Sequence, residues 1–293
     1  MSPARSQVPA PILVALAITL FGASPALSQR WGEDADGAET CRAIWREFGR
    51  TMSGEPRAVF CEVREVGVLP RTETISVDGG ARNGVRVRGE QRQDARVRLV
   101  IQAQGRTVDE ARDLARKVTL DLTQSPLRVA GIDREDTRGE RRFVAATIAV
   151  DVPQRSNLAL RVSYAPLDVE NVTGQLDLQA EHGPLTMRDV GGDVRARVEY
   201  GPITVDLSAA KWQGTGLDAE AEYGPVTLRV PPNFGAELEI GTKHGPLDID
   251  FPITLRRFNG STISTTLGSG GPRVRAIALY GPMSLKMSRS ADR

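Results

Sequence analysis

The chain has 293 residues with a formal net charge of +1, and only 5% of them are aromatic. A near-neutral balance gives no electrostatic case for nucleic acid or for an anionic membrane surface as partner. With so few aromatics, any core has to be built from Val, Leu, Ile and Ala.

Residues 1–28, MSPARSQVPAPILVALAITLFGASPALS, carry one arginine, an apolar run from Ile12 to Ala23, and small residues at Ala26 and Ser28. The run is too short to cross a bilayer, and this order predicts a secretory signal peptide cut before Gln29. The mature protein is expected in the periplasm or at the cell surface, without a transmembrane span. Residues 29–58 form an N-terminal segment with Trp31, Trp45 and Phe48 among polar residues. Cys41 and Cys61 are the two cysteines. In an exported chain they are expected to form a disulfide, worth about 3 kcal/mol for a loop of this size.

Residues 59–153 read as a small mixed α+β cap. VRVRGEQRQDARVRLVIQAQG and FVAATIAVDVP alternate like strands, while TVDEARDLARKV opens with a capping box, Thr107 and Glu110. Val108, Ala111, Leu114, Ala115 and Val118 form the expected apolar stripe of that helix. A cap of this kind covers the first edge of a stack of strands.

From residue 154 to 287 the chain repeats itself. SYAPLDV, EHGPLTM, EYGPITV, EYGPVTL, KHGPLDI and LYGPMSL place a ring at Tyr164, His182, Tyr200, Tyr223, His244 and Tyr280. Before each ring, every second residue is apolar, as in Val194, Ala196 and Val198; after each proline the alternation resumes, as in Ile203 and Val205. Period two with one apolar face means strands. A single strand-corner-strand unit cannot bury its face alone, so the expected fold is mainly β, a parallel β-solenoid (β-helix-like) of stacked coils.

Four residues after each proline stand Glu170, Arg188, Asp206, Arg229, Asp250 and Lys286. Their signs alternate in chain order, which is expected to bring opposite charges together down the stack. Glycine is expected at the corner for its freedom of torsion, with Ala165 in the first copy at a small cost. The last two rings lie 36 residues apart against 18 for the first two, which predicts one turn without the motif. Residues 261–279 read as two strands around a Gly-rich turn, and residues 288–293 as a disordered tail.

The segments CEVREVGVLPRTETISVDGGARNGVRVRG, WQGTGLDAEAEYGPVTLRVPPNFGAELEIGTKHGPLDIDFP and TTLGSGGPRVRAIALYGPMSL resemble exported bacterial proteins of a domain of unknown function labelled "putative adhesin". The similarity covers most of residues 61–287. It implies a β-solenoid, export and an adhesin-like role, and it supplies no catalytic residues. Where such relatives carry Asn-Gly this chain has Tyr-Gly or His-Gly, so stacked rings replace an asparagine ladder.

The two histidines, His182 and His244, occupy the ring position of the repeat, which accounts for them without metal or acid–base chemistry. The rings themselves admit two readings: an exposed strip for sugars, or rings turned inward to wedge the corner. Asp177, Glu181, Asp218, Glu220 and Glu222 fall at outward strand positions, and no hydrolase or nucleotide motif is present. The expected function is therefore a non-enzymatic interaction module, without cofactor or metal, whose partner is an envelope protein or a surface glycan. The alternatives are a polysaccharide-active enzyme using outward carboxylates and an envelope-stress scaffold that binds another protein.

Overall fold

Alternation of buried and outward side chains runs through nearly every strand of the computed structural model, which describes residues 58–70, 72–132, 142–253, 257–258 and 260–288. Strands β1 (Ala58–Leu69), β2 (Thr74–Asp78), β3 (Gly84–Glu90) and β4 (Ala95–Gly105) precede α1 (Val108–Lys117), the one helix among the described residues. The short β5 (Thr119–Leu120) and β6 (Val129–Ala130) and the long β7 (Phe143–Pro153) follow. Strands then come in pairs about each corner: β8 (Asn157–Val162) with β9 (Leu167–Glu170), β10 (Thr173–Ala180) with β11 (Leu185–Arg188), and β12 (Gly191–Tyr200) with β13 (Ile203–Asp206). The next pairs are β14 (Gly216–Tyr223) with β15 (Val226–Val230) and β16 (Ala236–Thr242) with β17 (Leu247–Asp250). After β18 (Arg257–Phe258) and β19 (Thr262–Leu267) comes the last pair, β20 (Arg273–Ala278) and β21 (Met283–Met287).

The fold is mainly β, in mixed sheets. Strands before the corners share a nine-stranded sheet, β18-β19-β16-β20-β14-β12-β10-β8-β2, and those after them share a ten-stranded one, β1-β4-β7-β3-β9-β11-β13-β15-β21-β17. Successive repeats pair in parallel and in register: Leu178 lies between Leu160 and Ala196, and Met187 between Val169 and Val205. These apolar columns from both sheets are buried and form one continuous core. A buried Leu, Ile or Met in such a column contributes about 1.5–3 kcal/mol. At one end β1, β4 and β7 pair antiparallel, and α1 packs on β4 and β1.

Helix α1 starts as its sequence dictates, with the Glu110 N–H donating to the Thr107 hydroxyl at 3.1 Å. The Glu110 carboxylate reaches back one residue further than a capping box requires and accepts from the Arg106 N–H at 2.7 Å. Ala111, Leu114, Ala115 and Val118 are buried, but Val108 is 48% exposed and does not belong to the apolar stripe.

The run of parallel pairings begins ahead of residue 154. Strand β2 pairs with β8, Val77 opposite Leu160, and β3 with β9, Val87 opposite Val169. VDGGARNGVRV alternates as the later coils do but turns through Gly79 to Asn83 without a ring or a proline, so the repeat motif misses it.

The C-terminal end departs most from chain order. Strands β20 and β21 do not extend the stack; they insert between β14 and β16 and between β15 and β17. The long interval before Tyr280 is therefore no extra turn of the stack. It holds β19, which lies antiparallel on the far edge of β16, and β18 beside it. The expected two strands around a Gly-rich turn are present, yet they flank β16 instead of pairing with each other.

Insertion also breaks the expected charge alternation. On the ten-stranded sheet the observed order is Arg88, Glu170, Arg188, Asp206, Arg229, Lys286, Asp250. Arg188 lies between Glu170 and Asp206 as expected, but Arg229 meets Lys286.

Cys61 is buried on β1; its expected partner Cys41 lies outside the described residues, as do the signal peptide and the residues after 288. No helix among the described residues is long and apolar enough to cross a membrane.

Candidate functional site: a ring ladder along one corner

Each of the six repeats passes from one sheet to the other through a ring, a glycine (Ala165 in the first) and a proline, and the parallel pairing of the repeats stacks the rings. In spatial order they are Tyr164, His182, Tyr200, Tyr223, Tyr280 and His244, with centroids 4.4, 4.9, 4.9, 5.0 and 4.8 Å apart and planes within 14° of parallel. The spacing is set by the coil rise, about 4.8 Å between paired strands. The insertion of the last coil places Tyr280 ahead of His244.

All six rings face solvent, which overturns the inward of the two readings, although two residues before each of the first three rings Val162, Ala180 and Val198 are buried. Strand alternation ends one residue before the ring: Glu199 and Tyr200 are both exposed because the chain is already turning there. The two histidines sit four rungs apart, so they share no ligand; each substitutes for tyrosine in the stack.

Close approach, not torsional freedom, explains the corner glycines. Gly183, Gly201, Gly224, Gly281 and Gly245 do not have a positive φ, so the expected freedom of torsion is not what these corners use. A Cβ on Gly183 would lie 2.0 Å from the Ala165 carbonyl oxygen, one on Gly224 2.0 Å from that of Gly201, and one on Gly245 2.2 Å from that of Gly281. Each corner rests backbone to backbone on the one before it. Ala165 is tolerated because it begins this column.

Beside the rings runs a second row, of which the sequence singled out Glu181 and Glu222 as outward carboxylates but not their alignment. The residue preceding each ring is Ser163, Glu181, Glu199, Glu222, Leu279 and Lys243 in spatial order. Glu181, Glu199 and Glu222 are exposed on consecutive rungs, and none has an ion-pair partner among the described residues. Desolvation by its neighbours and then the Glu222 charge hold the Tyr223 phenol above its ordinary value, so it is a neutral donor at physiological pH.

Of the other candidate carboxylates, Asp177 is exposed and accepts from the Gln179 amide at 3.2 Å, whereas Asp218 and Glu220 are held by arginines. Asp218 accepts from Arg197 Nη2 and from Arg275 Nη1, both at 2.6 Å, and Glu220 pairs with Arg275 at 2.8 Å. Burial pushes the Asp218 carboxyl up, but hydrogen bonds and charge from the two arginines together outweigh it and hold it below the usual carboxylate range. A carboxyl lowered in the folded state stabilises above the ordinary carboxylate pKa, near 3.9, and that contribution disappears as pH falls through its depressed value. Asp218→Asn is therefore expected to cost about 1 kcal/mol at pH 7. In urea melts across pH, its difference from the parent should shrink as pH falls below the ordinary carboxylate range. Asp168 and Asp206 run the other way. Burial raises both, so what they contribute is present below the ordinary range and is lost as pH rises through their raised values.

A surface depression of about 500 Å³ lies at the other end of the strands, lined by residues including Ile75, Asp94, Ala95, Pro153 and Arg155. Asp94 there is held by Arg92 at 2.6 Å.

No family model matches the chain, and no curated protein matches it. Among solved structures it is similar to three described as adhesion proteins. A "putative cell adhesion protein" from Clostridium sporogenes is 9% identical, with 78% of this chain and 100% of that one covered at a TM-score of 0.36. A "putative adhesin" from Bacteroides fragilis is 11% identical, covering 78% and 97%, at 0.37. One from Parabacteroides merdae is 10% identical, covering 79% and 97%, at 0.31. At such identities and scores these likenesses carry neither a fold nor a role across to this chain.

Proposed function

We propose that this protein is an exported, non-enzymatic parallel β-solenoid that acts as an adhesin-like interaction module at the bacterial cell envelope, with a glycan as the partner of its ring ladder. In this reading residues 1–28 are a signal peptide, Cys41 and Cys61 form a disulfide that ties the N-terminal segment to β1, and residues 59–153 cap the stack. The observation that carries it is the exposed ladder itself. A monomer that needed rings only to fill its corners would bury them, whereas six of them stand in solvent along one edge. The ion-paired state of Asp218 and Glu220 supports a binding role over a hydrolytic one, since a glycosidase needs one carboxyl raised and free to give up its proton.

Removing the ladder tests this. The triple variant Tyr164→Ala, Tyr200→Ala, Tyr223→Ala should lose retention on an envelope polysaccharide fraction. It should still unfold cooperatively, with each lost stacking contact costing about 0.5–1.5 kcal/mol. Undiminished retention by a folded triple variant would remove the ladder from the function.

A further inference from the structure

A ladder of parallel rings covers most of its own faces. Between neighbours 4.4–5.0 Å apart no third ring fits, so the inner rungs offer a ligand only their edges. Tyr164 is different: it is 65% exposed, against 43–44% for Tyr200, Tyr223 and Tyr280. Only one of its faces, the one towards His182, has a stacked neighbour.

The other face looks onto the corner between β2 and β3, which has no ring. That corner nevertheless sits in register with the stack. The Gly79 N–H donates to the Arg161 carbonyl and the Ser163 N–H to the Gly80 carbonyl, at 2.9 and 3.0 Å. A Cβ built on Gly80, in register with Ser163, would meet nothing within 4 Å, and Ala81, in register with Tyr164, carries no ring.

Charge changes sign at the same place. Ser163 stands where the next three rungs carry Glu181, Glu199 and Glu222. Arg82, in the open corner, is exposed and has no ion-pair partner among the described residues. Arg161 hydrogen-bonds the Gln179 amide oxygen at 2.8 Å and no carboxylate. Asp78, the acid of this corner, is occupied by Arg128 at 2.8 Å and by the Gly80 N–H at 2.9 Å. Glu181 is one rung away and leaves the terminal step to the cations.

We propose that the open face of Tyr164, together with Arg82, is a subsite for an acidic pyranose, a hexuronate residue of an anionic glycan. The apolar face of the sugar stacks on the ring and its carboxylate pairs with the guanidinium. The subsite rests on the reading of the ladder as a glycan-contact strip and fixes where along it, and for which sugar chemistry, contact is made. Further sugar units run past the inner rungs, touching ring edges and phenol hydroxyls.

The test is calorimetric titration of the full chain with trigalacturonate, with the neutral galactose trimer as comparison. Tyr164→Ala should weaken trigalacturonate binding about three- to tenfold, the equivalent of one lost stacking contact. Tyr164→Phe, which keeps the stacking face, should leave it within about twofold, and Tyr223→Ala, which removes an inner rung that offers only its edge, should cost clearly less than Tyr164→Ala. Arg82→Ala should weaken the acidic trimer and not the neutral one. Tyr223→Ala as costly as Tyr164→Ala would overturn the subsite, as would equal binding of both trimers or no binding of either. If the triple tyrosine variant still abolishes envelope retention while trigalacturonate fails to bind, the subsite falls and the ladder's role stands. If retention survives the triple variant, both fall.

Discussion

Gly224→Ala and Gly183→Ala are each expected to lower stability by about 3 kcal/mol, in the upper range for forcing extra atoms into a packed interior. For a domain of this size that is roughly 10 °C in melting temperature. The added methyl would stand 2.0 Å from a carbonyl oxygen of the preceding coil in either case. Backbone, unlike the end of a flexible side chain, cannot move aside without shifting the coil. Ala165→Gly, at the start of the same column, should stay within about 1 kcal/mol of the parent. Thermal melts of the three variants decide the matter. A neutral Gly224→Ala would mean that the corners do not rest on one another, and the ring stack would lose its physical basis.

Deleting residues 273–293 should abolish cooperative unfolding and soluble expression altogether. In a stack built in chain order, loss of the last coil would shed only its own contacts and leave a shorter stack. Here β20 and β21 lie inside the stack, so the deletion strips β14, β15, β16 and β17 of a neighbour at once. It also removes the buried Val274, Ala276, Ala278, Met283 and Leu285. The loss is of the same order as the roughly 5–15 kcal/mol that holds an ordinary domain together. A truncated chain that still melts cooperatively a few degrees lower would show that the last coil is peripheral.

The ladder was half legible in the sequence. The six ring positions, their register and the exclusion of a shared histidine site all follow from the repeat, because the residues of each corner are contiguous. Their outward direction does not follow, since strand parity stops predicting orientation where the backbone leaves the strand, and that happens at Glu199 and Tyr200. The open end of the ladder was hidden for a related reason. GGARN, between β2 and β3, does in backbone terms what Tyr-Gly-Pro does elsewhere, without sharing a residue pattern that would reveal it.

The sequence by itself determined which residues within each strand face inward and where the six ring corners turn, because alternation and turn chemistry act over a few neighbouring residues. Only the tertiary structure decided which coil lies on which. The apolar columns do not discriminate: Val274, Ala276 and Ala278 of β20 pack as well against Leu217, Ala219 and Ala221 as against Leu238, Ile240 and Thr242. Charges on the outer faces are what differ. Inserting the last coil brings Arg229 beside Lys286 on one sheet, but on the other it slides Arg275 between Asp218 and Glu239, which chain order alone would have left as like charges one above the other. The Arg275 contacts with Asp218 at 2.6 Å and Glu220 at 2.8 Å are closer than any contact of Lys286. Long-range pairing of this kind is settled by the whole set of neighbours at once, and no local stretch of the chain encodes it.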